Sequence, residues 1–439
     1  MPPPSSSLTT TAPFHLFPGS SRPLNLGRAG GPTSSGRRES VDTSVLPIIC
    51  FCHLSWDWVW QRPQQFLSRL ASTHPVLFVE TYRSDVSETQ VTVRETAQPN
   101  VTVLQTHLPS ARWHEGEFID AERRRVLQET LQGELAGRFD RPILWFYDPM
   151  AVRAFAGRLD ERLIAYDCMD ELSQFKGAPP TLVERERELL AVADVVFCGG
   201  RKMRDKRLPL NPNCHFYGTG VDVDHFGAAR SEALAVDPEI SALPGRVLGY
   251  FGVIDERIDY ELLAKLADAR SDWSIAMVGP FAKVDPADFP RRPNLHWLGG
   301  RPYERLPAIT KGFAVCLMPF ARNEATEYIN PTKALEYMAT GRPVVSTALD
   351  EVRSNFGDIC QIARTHAGFI AHCAREADTP TRRRVERGLR LAAENTWESI
   401  AARMEGHLAD AYAARLHSAP PTDPLPALFP FSRKRAAYV

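Results

Sequence analysis

Lys333 and Glu336 stand three residues apart in the stretch EATEYINPTKALEYMATGRPVVST, residues 324–347. That spacing sets an amine and a carboxylate about one turn apart on one side of a helix. Ala334, Leu335, Met338 and Ala339 recur at helical spacing on another side and can pack on a sheet. Asn330 is a good N-cap and Pro331 suits the first helical position, with Thr332 between them and the charges. Gly341 stops the helix, and Arg342-Pro343 leads into an apolar strand, Val344 to Thr347. A cation in the first turn opposes the helix dipole by about 0.3–1 kcal/mol, so Lys333 is easier to understand if an anion such as a nucleotide diphosphate occupies that end. Glu336 would then accept hydrogen bonds from neutral hydroxyls such as those of a ribose. The same residues also make an ordinary capped helix before a buried strand, and the spacing alone leaves both readings open.

Other candidates lie where apolar runs end. Leu46 to Cys52 is followed by His53-Leu54-Ser55-Trp56-Asp57-Trp58-Val59-Trp60, whose tryptophans could stack on a sugar or cover the core. Asp148, Asp167 and Asp170 follow Trp145-Phe146-Tyr147 and Leu163 to Tyr166; each suits acid–base or hydroxyl-binding work, and equally the capping of a turn. Gly252 and Gly279 end further apolar runs, where a missing Cβ lets backbone amides approach phosphates.

These positions need a scaffold of alternating strands and helices. The expected strands are 46–52, 76–80, 101–105, 143–147, 163–167, 195–198 and then, after 227–244, 246–252, 274–278, 294–298, 313–319 and 344–347, with helical patterns between them. The rhythm implies an α/β fold of two doubly wound parallel sheets, with ligands beyond the C-terminal strand ends. The divisions read from the chain are a Pro/Ser/Gly-rich disordered tail at 1–44, a first domain at 45–226, a linker at 227–244, a second domain at 245–395, a final helix at 396–416 and a tail at 417–439.

Composition narrows the function. At 439 residues the chain can bury two cores, and a net charge of −1 gives no electrostatic case for nucleic acid. Eight cysteines occur without a Cys-x-x-Cys pair, which reads as buried reduced thiols in a cytoplasmic protein without structural zinc. No apolar run suits a signal peptide or a membrane span. The C-terminal stretch joins aromatics to Arg433, Lys434 and Arg435, a combination open to weak contact with an anionic membrane as well as to plain solvation.

The stretch around Lys333 resembles the nucleotide-sugar motif of family-4 glycosyltransferases of the GT-B fold, in particular a bacterial branch with Asn-Pro-x-Lys-x-x-Glu-Tyr followed by Gly-x-Pro-Val-Val. Gln61-Arg62-Pro63-Gln64, Gly218 to Phe226, Gly252 to Asp259 and the helix after Glu394 resemble further segments of that family, so the resemblance spans 46–416. It implies a GT-B fold of two Rossmann-like domains facing a cleft. It also implies that Glu336 holds the ribose, that Asn330, Pro331 and Thr332 meet the donor sugar, and that Arg257 with Lys333 neutralises the diphosphate. Gly252, Gly279 and Arg301 belong to the same donor site, with 298–302 framing the base. His53, Trp56, Asp57, Arg62, Asp167 and Asp170 are then acceptor-side candidates. Where the wider family has the first of two glutamates, this chain has Tyr328 beside Glu327, and it has Asp148 near where many members carry a histidine. These three are the catalytic candidates.

The implied function is transfer of a sugar from a nucleoside diphosphate sugar to a glycan or lipid-linked acceptor, with retention and without bound metal or tightly bound cofactor. The setting would be envelope or exopolysaccharide synthesis in the cytoplasm or at the inner face of the plasma membrane. A sugar-nucleotide epimerase and a catalytically silent sugar-binding or scaffold protein are the alternatives. Neither domain has Gly-x-Gly-x-x-Gly after its first strand, which argues against a dinucleotide oxidoreductase.

Overall fold

The computed structural model describes residues 46–417 except positions 59, 176, 324, 325, 327, 328 and 330. The apolar runs of the first half become β1 (Ile48–Phe51), β2 (Val76–Val79), β3 (Arg83–Val86), β4 (Gln90–Glu95), β5 (Val101–Pro109), β6 (Ile143–Phe146), β7 (Leu163–Cys168), β8 (Val195–Cys198) and β9 (Cys214–Phe216). They form one sheet in the order β3-β5-β2-β1-β6-β7-β8-β9, with β4 antiparallel on β5. The second half supplies β10 (Arg246–Phe251), β11 (Trp273–Val278), β12 (Leu295–Gly299), β13 (Val315–Met318), β14 (Val344–Thr347) and β15 (Gln361–Ala363), in the order β12-β11-β10-β13-β14-β15 and parallel throughout. Both sheets reverse direction beside their first strand, at β1/β6 and at β10/β13. In a doubly wound sheet that is where a crevice opens for ligands.

Strand periodicity builds the cores. Ile48, Cys50 and Cys52 face one side of the first sheet and Ile49 and Phe51 the other, so both faces need cover. One face packs on helices Arg62–Leu70 and Trp397–His417, the latter contributing Ile400, Met404 and Leu408. The final helix thus returns from the second domain to roof the first. Val221 pairs with Thr396 at the crossing, and Phe66 meets Trp397 edge-on at 5.2 Å. The β3–β4 excursion, 83–95, had no counterpart among the expected strands: its side chains are mostly exposed, so no apolar pattern marks it. Residues 227–244, read as a linker, carry the short helix Pro238–Ser241, and Asp237 is buried against Arg305.

A pair of imidazoles lies under the final helix. The rings of His215, on β9, and His407 stack 3.7 Å apart. His215 Nε2 is 2.7 Å from Asn213 Oδ1, and His407 Nε2 is 2.9 Å from the Tyr217 hydroxyl, over which Arg403 lies. Burial lowers both pKa values, and His407 lowers that of His215 further, while Asp410 opposes the shift. The unfolded chain therefore takes up protons first, so stability from this pair is present above about pH 6.5 and is lost as pH falls through the depressed folded values. We expect the melting temperature to fall between pH 7.5 and pH 5.5, and to fall less in His407→Gln. An equal fall in both proteins would remove the stack from the explanation.

Candidate functional site

Beside the second switch point, the ends of β10, β11 and β12 are joined backbone to backbone. The Gly252 amide donates to the Val278 carbonyl and the Gly279 amide to the Gly299 carbonyl, each at 2.8 Å. The Trp297 indole N–H donates to the Gly279 carbonyl, also at 2.8 Å. A Cβ at Gly279 would stand 1.7 Å from the Gly252 carbonyl oxygen, so only glycine fits. Ile254 pairs with Phe281 and Ile258 with Phe320, which draws the loops after β10, β11 and β13 together.

Lys333 opens the short helix Lys333–Ala339, the crossover from β13 to β14. Thr332 precedes it, and Ala334 donates to the Pro331 carbonyl at 3.2 Å, so Lys333 heads the helix. Its side chain passes over the loop after β10: Nζ is 5.3 Å from the Phe251 ring centre, and a Cβ on Gly252 would meet Lys333 Cε at 3.1 Å. Nζ also lies 3.1 Å from Glu336 Oε2. The angle makes this an ion pair rather than a hydrogen bond, so Oε2 sits out of water without a directional donor. A ligand hydroxyl would supply one. Tyr337, next along, is fully buried; its hydroxyl accepts the Phe251 amide at 3.0 Å and fixes the end of β10.

Arg257 reaches the cleft paired with Asp255, at 2.5 Å. Arg301 is bound to Glu239 and to the Gly300 carbonyl, which gives it a bracing role between the 237–241 helix and the β12 loop instead of a free cation. Glu336 also acts at a distance. Burial of Tyr303 pushes its hydroxyl pKa up and the charge of Glu336 raises it further, and Tyr303 stacks on His225 at 4.0 Å. Sequence reasoning missed Tyr303, His225 and Tyr337 as site residues, although Tyr337 stands inside the Lys333 motif.

The first domain turns a different set of groups toward this cleft. Arg62 is 9% exposed and Asp167 0%, and they form an ion pair at 2.8 Å. Arg62 also donates to the carbonyls of Tyr217 and Gly218. A guanidinium so engaged joins β7 to the turn before the linker. Asp148 Oδ1 accepts the Met150 amide at 2.9 Å and caps the turn after β6. Trp56 is buried edge-on against Phe78, as core cover; Trp58, 69% exposed, and Trp60 are the accessible rings. Asp57 pairs with Arg94 at the surface. Asp170 is the carboxylate left near the cleft. Burial raises its pKa, against the lowering influence of His53, Arg62 and, from the opposite domain, Arg257. His53 Nδ1 is buried without a hydrogen-bond partner. Glu327, Tyr328 and Asn330 lie outside the described residues.

Gly279→Ala should abolish the junction. The methyl must displace the Gly252 carbonyl, and the residue is held at φ +155°, a conformation costing a non-glycine residue on the order of 1–3 kcal/mol. Affinity for nucleoside diphosphates, read by calorimetry, is expected to fall at least tenfold while circular dichroism stays that of the wild type. Unchanged affinity would place the anion site elsewhere.

Residues 245–374 match the family described as glycosyl transferases group 1. The chain is 28% identical over 207 residues to the putative teichuronic acid biosynthesis glycosyltransferase TuaH of Bacillus subtilis (strain 168), a stretch covering 42% of this chain and 50% of that protein. It therefore spans about half the length of this curated relative. Among solved structures, it is similar to a trehalose-6-phosphate structure from E. coli bound with UDP-2-fluoro glucose, with a TM-score of 0.60 and 12% identity over 83% of this chain and 99% of that one. A sucrose-phosphate synthase from Thermosynechococcus elongatus gives 0.60 and 15% over 84% and 100%. An alpha,alpha-trehalose 6-phosphate synthase from Burkholderia multivorans gives 0.61 and 13% over 85% and 100%. The α/β architecture with its two parallel sheets is the GT-B fold.

Proposed function

We propose that this chain is a glycosyltransferase that moves a sugar from a nucleoside diphosphate sugar to a glycan or lipid-linked acceptor. In this reading the anomeric configuration is retained, no bound metal is needed, and the product enters envelope or exported polysaccharide. The observation that carries it is the meeting of Gly252, Gly279, Lys333 and Glu336 beside the second sheet's switch point, inside the segment matched to group 1 glycosyltransferases. A neighbour of the same fold binds UDP-2-fluoro glucose, and the curated relative carries the name of a teichuronic acid glycosyltransferase; both support the reading.

The chemistry follows from the side chains. As the glycosidic bond breaks, charge grows on the diphosphate, and Lys333 and Arg257 stabilise it by exchanging a resident carboxylate for a phosphate oxygen. Glu336 Oε2 accepts from the ribose. Across the cleft, Asp170 and His53 orient the acceptor hydroxyl, the raised pKa of Asp170 making it a better proton acceptor than an ordinary carboxylate. Residues 45–226 then form the acceptor side and 245–395 the donor side. Among the described residues no helix is long and apolar enough to cross a membrane. A lipid-linked acceptor would be met at the cytoplasmic face of the plasma membrane.

Two experiments test this. Uridine diphosphate or its sugar, at 100 times its dissociation constant, should stabilise the protein by about 2.7 kcal/mol in a thermal-shift assay. Glu336→Gln should lose about 1.5–3 kcal/mol of that binding through its charged hydrogen bonds; equal shifts in both proteins would remove Glu336 from the site. Transfer of labelled sugar is expected to persist in EDTA. Complete loss, restored by magnesium or manganese, would reject the metal-independent mechanism.

A further inference from the structure

All eight cysteines are buried and unbonded, but three of them converge. Cys168 and Cys198 are partners in the β7–β8 ladder, and Cys214 begins β9, the next strand. Cys198 Sγ and Cys214 Sγ are 3.5 Å apart. The Cys168 thiol is turned to the Asp170 carbonyl at 3.5 Å and to Glu186 at 3.9 Å. Cys214 is the more accessible of the facing pair, at 6% against 0% for Cys198. It sits on the last strand of the sheet, three residues long, where local opening requires the loss of one strand pairing only.

The surroundings also divide the labour. Contact with Cys198 and the nearby guanidinium groups of Arg207 and Arg204 lower the Cys214 pKa, against its burial and Asp205. Cys198 is pushed the other way by its contacts with Cys168 and Cys214 and by burial. The two guanidinium groups favour the thiolate at Cys214, the less buried sulfur, with Cys198 beside it to resolve an oxidised form.

We infer that Cys198 and Cys214 are an oxidisable dithiol that hydrogen peroxide converts to a disulfide joining β8 to β9. The Cys214 thiolate attacks one peroxide oxygen; the O–O bond breaks, and the departing hydroxide takes a proton and leaves as water. Cys198 then attacks the sulfur of the sulfenic acid, forming the S–S bond and releasing a second water. Two thiols lose two electrons in all, and one peroxide becomes two waters. The bond forms beside a domain contact. Three and four residues after Cys198, the Arg201 and Lys202 amides donate to Glu351 of the second domain at 3.2 and 2.8 Å, so a shift of the β8 end acts on that grip.

The inference does not depend on the transferase reading. The fully reduced full-length chain is treated with hydrogen peroxide, alkylated, and mapped by mass spectrometry without reduction. The expected result is the loss of two hydrogens from the intact mass, one cross-linked peptide pair carrying Cys198 and Cys214, and reversal by dithiothreitol. Cys198→Ser and Cys214→Ser lose the cross-link and Cys168→Ser keeps it. Because the mapping is done on the wild-type chain, it stands even if a variant fails to fold. An unchanged mass, a cross-link through Cys168, or a Cys214 that proceeds to sulfinic acid unlinked would each overturn the proposal.

Discussion

The second domain of this protein depends on a contact between two peptide backbones. Where β10 and β11 end, the Gly252 carbonyl lies against Gly279 with no room for a methyl group. Parallel strands of a doubly wound sheet separate at their C-terminal ends and leave a crevice. Here the crevice is pinched, so the loops carrying Ile254, Phe281, Ile258 and Phe320 interlock. Lys333 crosses closely above Gly252, where a Cβ would stand 3.1 Å from its Cε, and pairs with Glu336 one turn along.

Around this junction the cations arrive with carboxylates of their own, and burial decides which pairs a ligand can exchange. Arg62 and Asp167 are out of water; removing one partner from such a pair costs about 3–5 kcal/mol, which marks a fixed brace. Arg257 is 39% exposed beside Asp255, and Lys333 and Glu336 lie at the cleft. Both pairs are less buried than Arg62–Asp167, so an incoming anion reaches them where it does not reach that brace. The arginine-rich composition hides this distinction in the sequence, since 44 arginines offer many candidate anion sites and only packing sorts them.

The two domains are held together by few but specific contacts. The final helix roofs the first sheet, and Gly220 is required because a Cβ there would come within 2.6 Å of the Trp397 ring, rather than for a turn of its own. Glu351 caps the Arg201–Arg207 helix of the first domain, and the Arg201 guanidinium donates to Asn355. Asp170 feels Arg257 across the cleft. Movement of one domain on the other therefore acts on groups from both sides of the proposed reaction.

By itself the sequence determined the alternation of strands and helices, the two-sheet architecture and the region around Lys333 and Glu336. Continuous apolar runs can be satisfied only by burial on both faces of a sheet, and helical spacing places that lysine and glutamate side by side. It did not determine which aspartates are free. Asp148 caps a turn, Asp167 neutralises Arg62, and Asp170 alone remains near the opposite domain. All three end similar strands, and what separates them is the partner each one meets. Nor did it separate Trp56, in the core, from Trp58 and Trp60 at the surface, or reveal that Tyr303 and His225 stack, or that Cys198 and Cys214 touch. Periodicity reports which residues must leave water, but hydrogen bonds, ion pairs and sulfur contacts form between residues far apart in the chain, and only the tertiary structure brings those partners within reach.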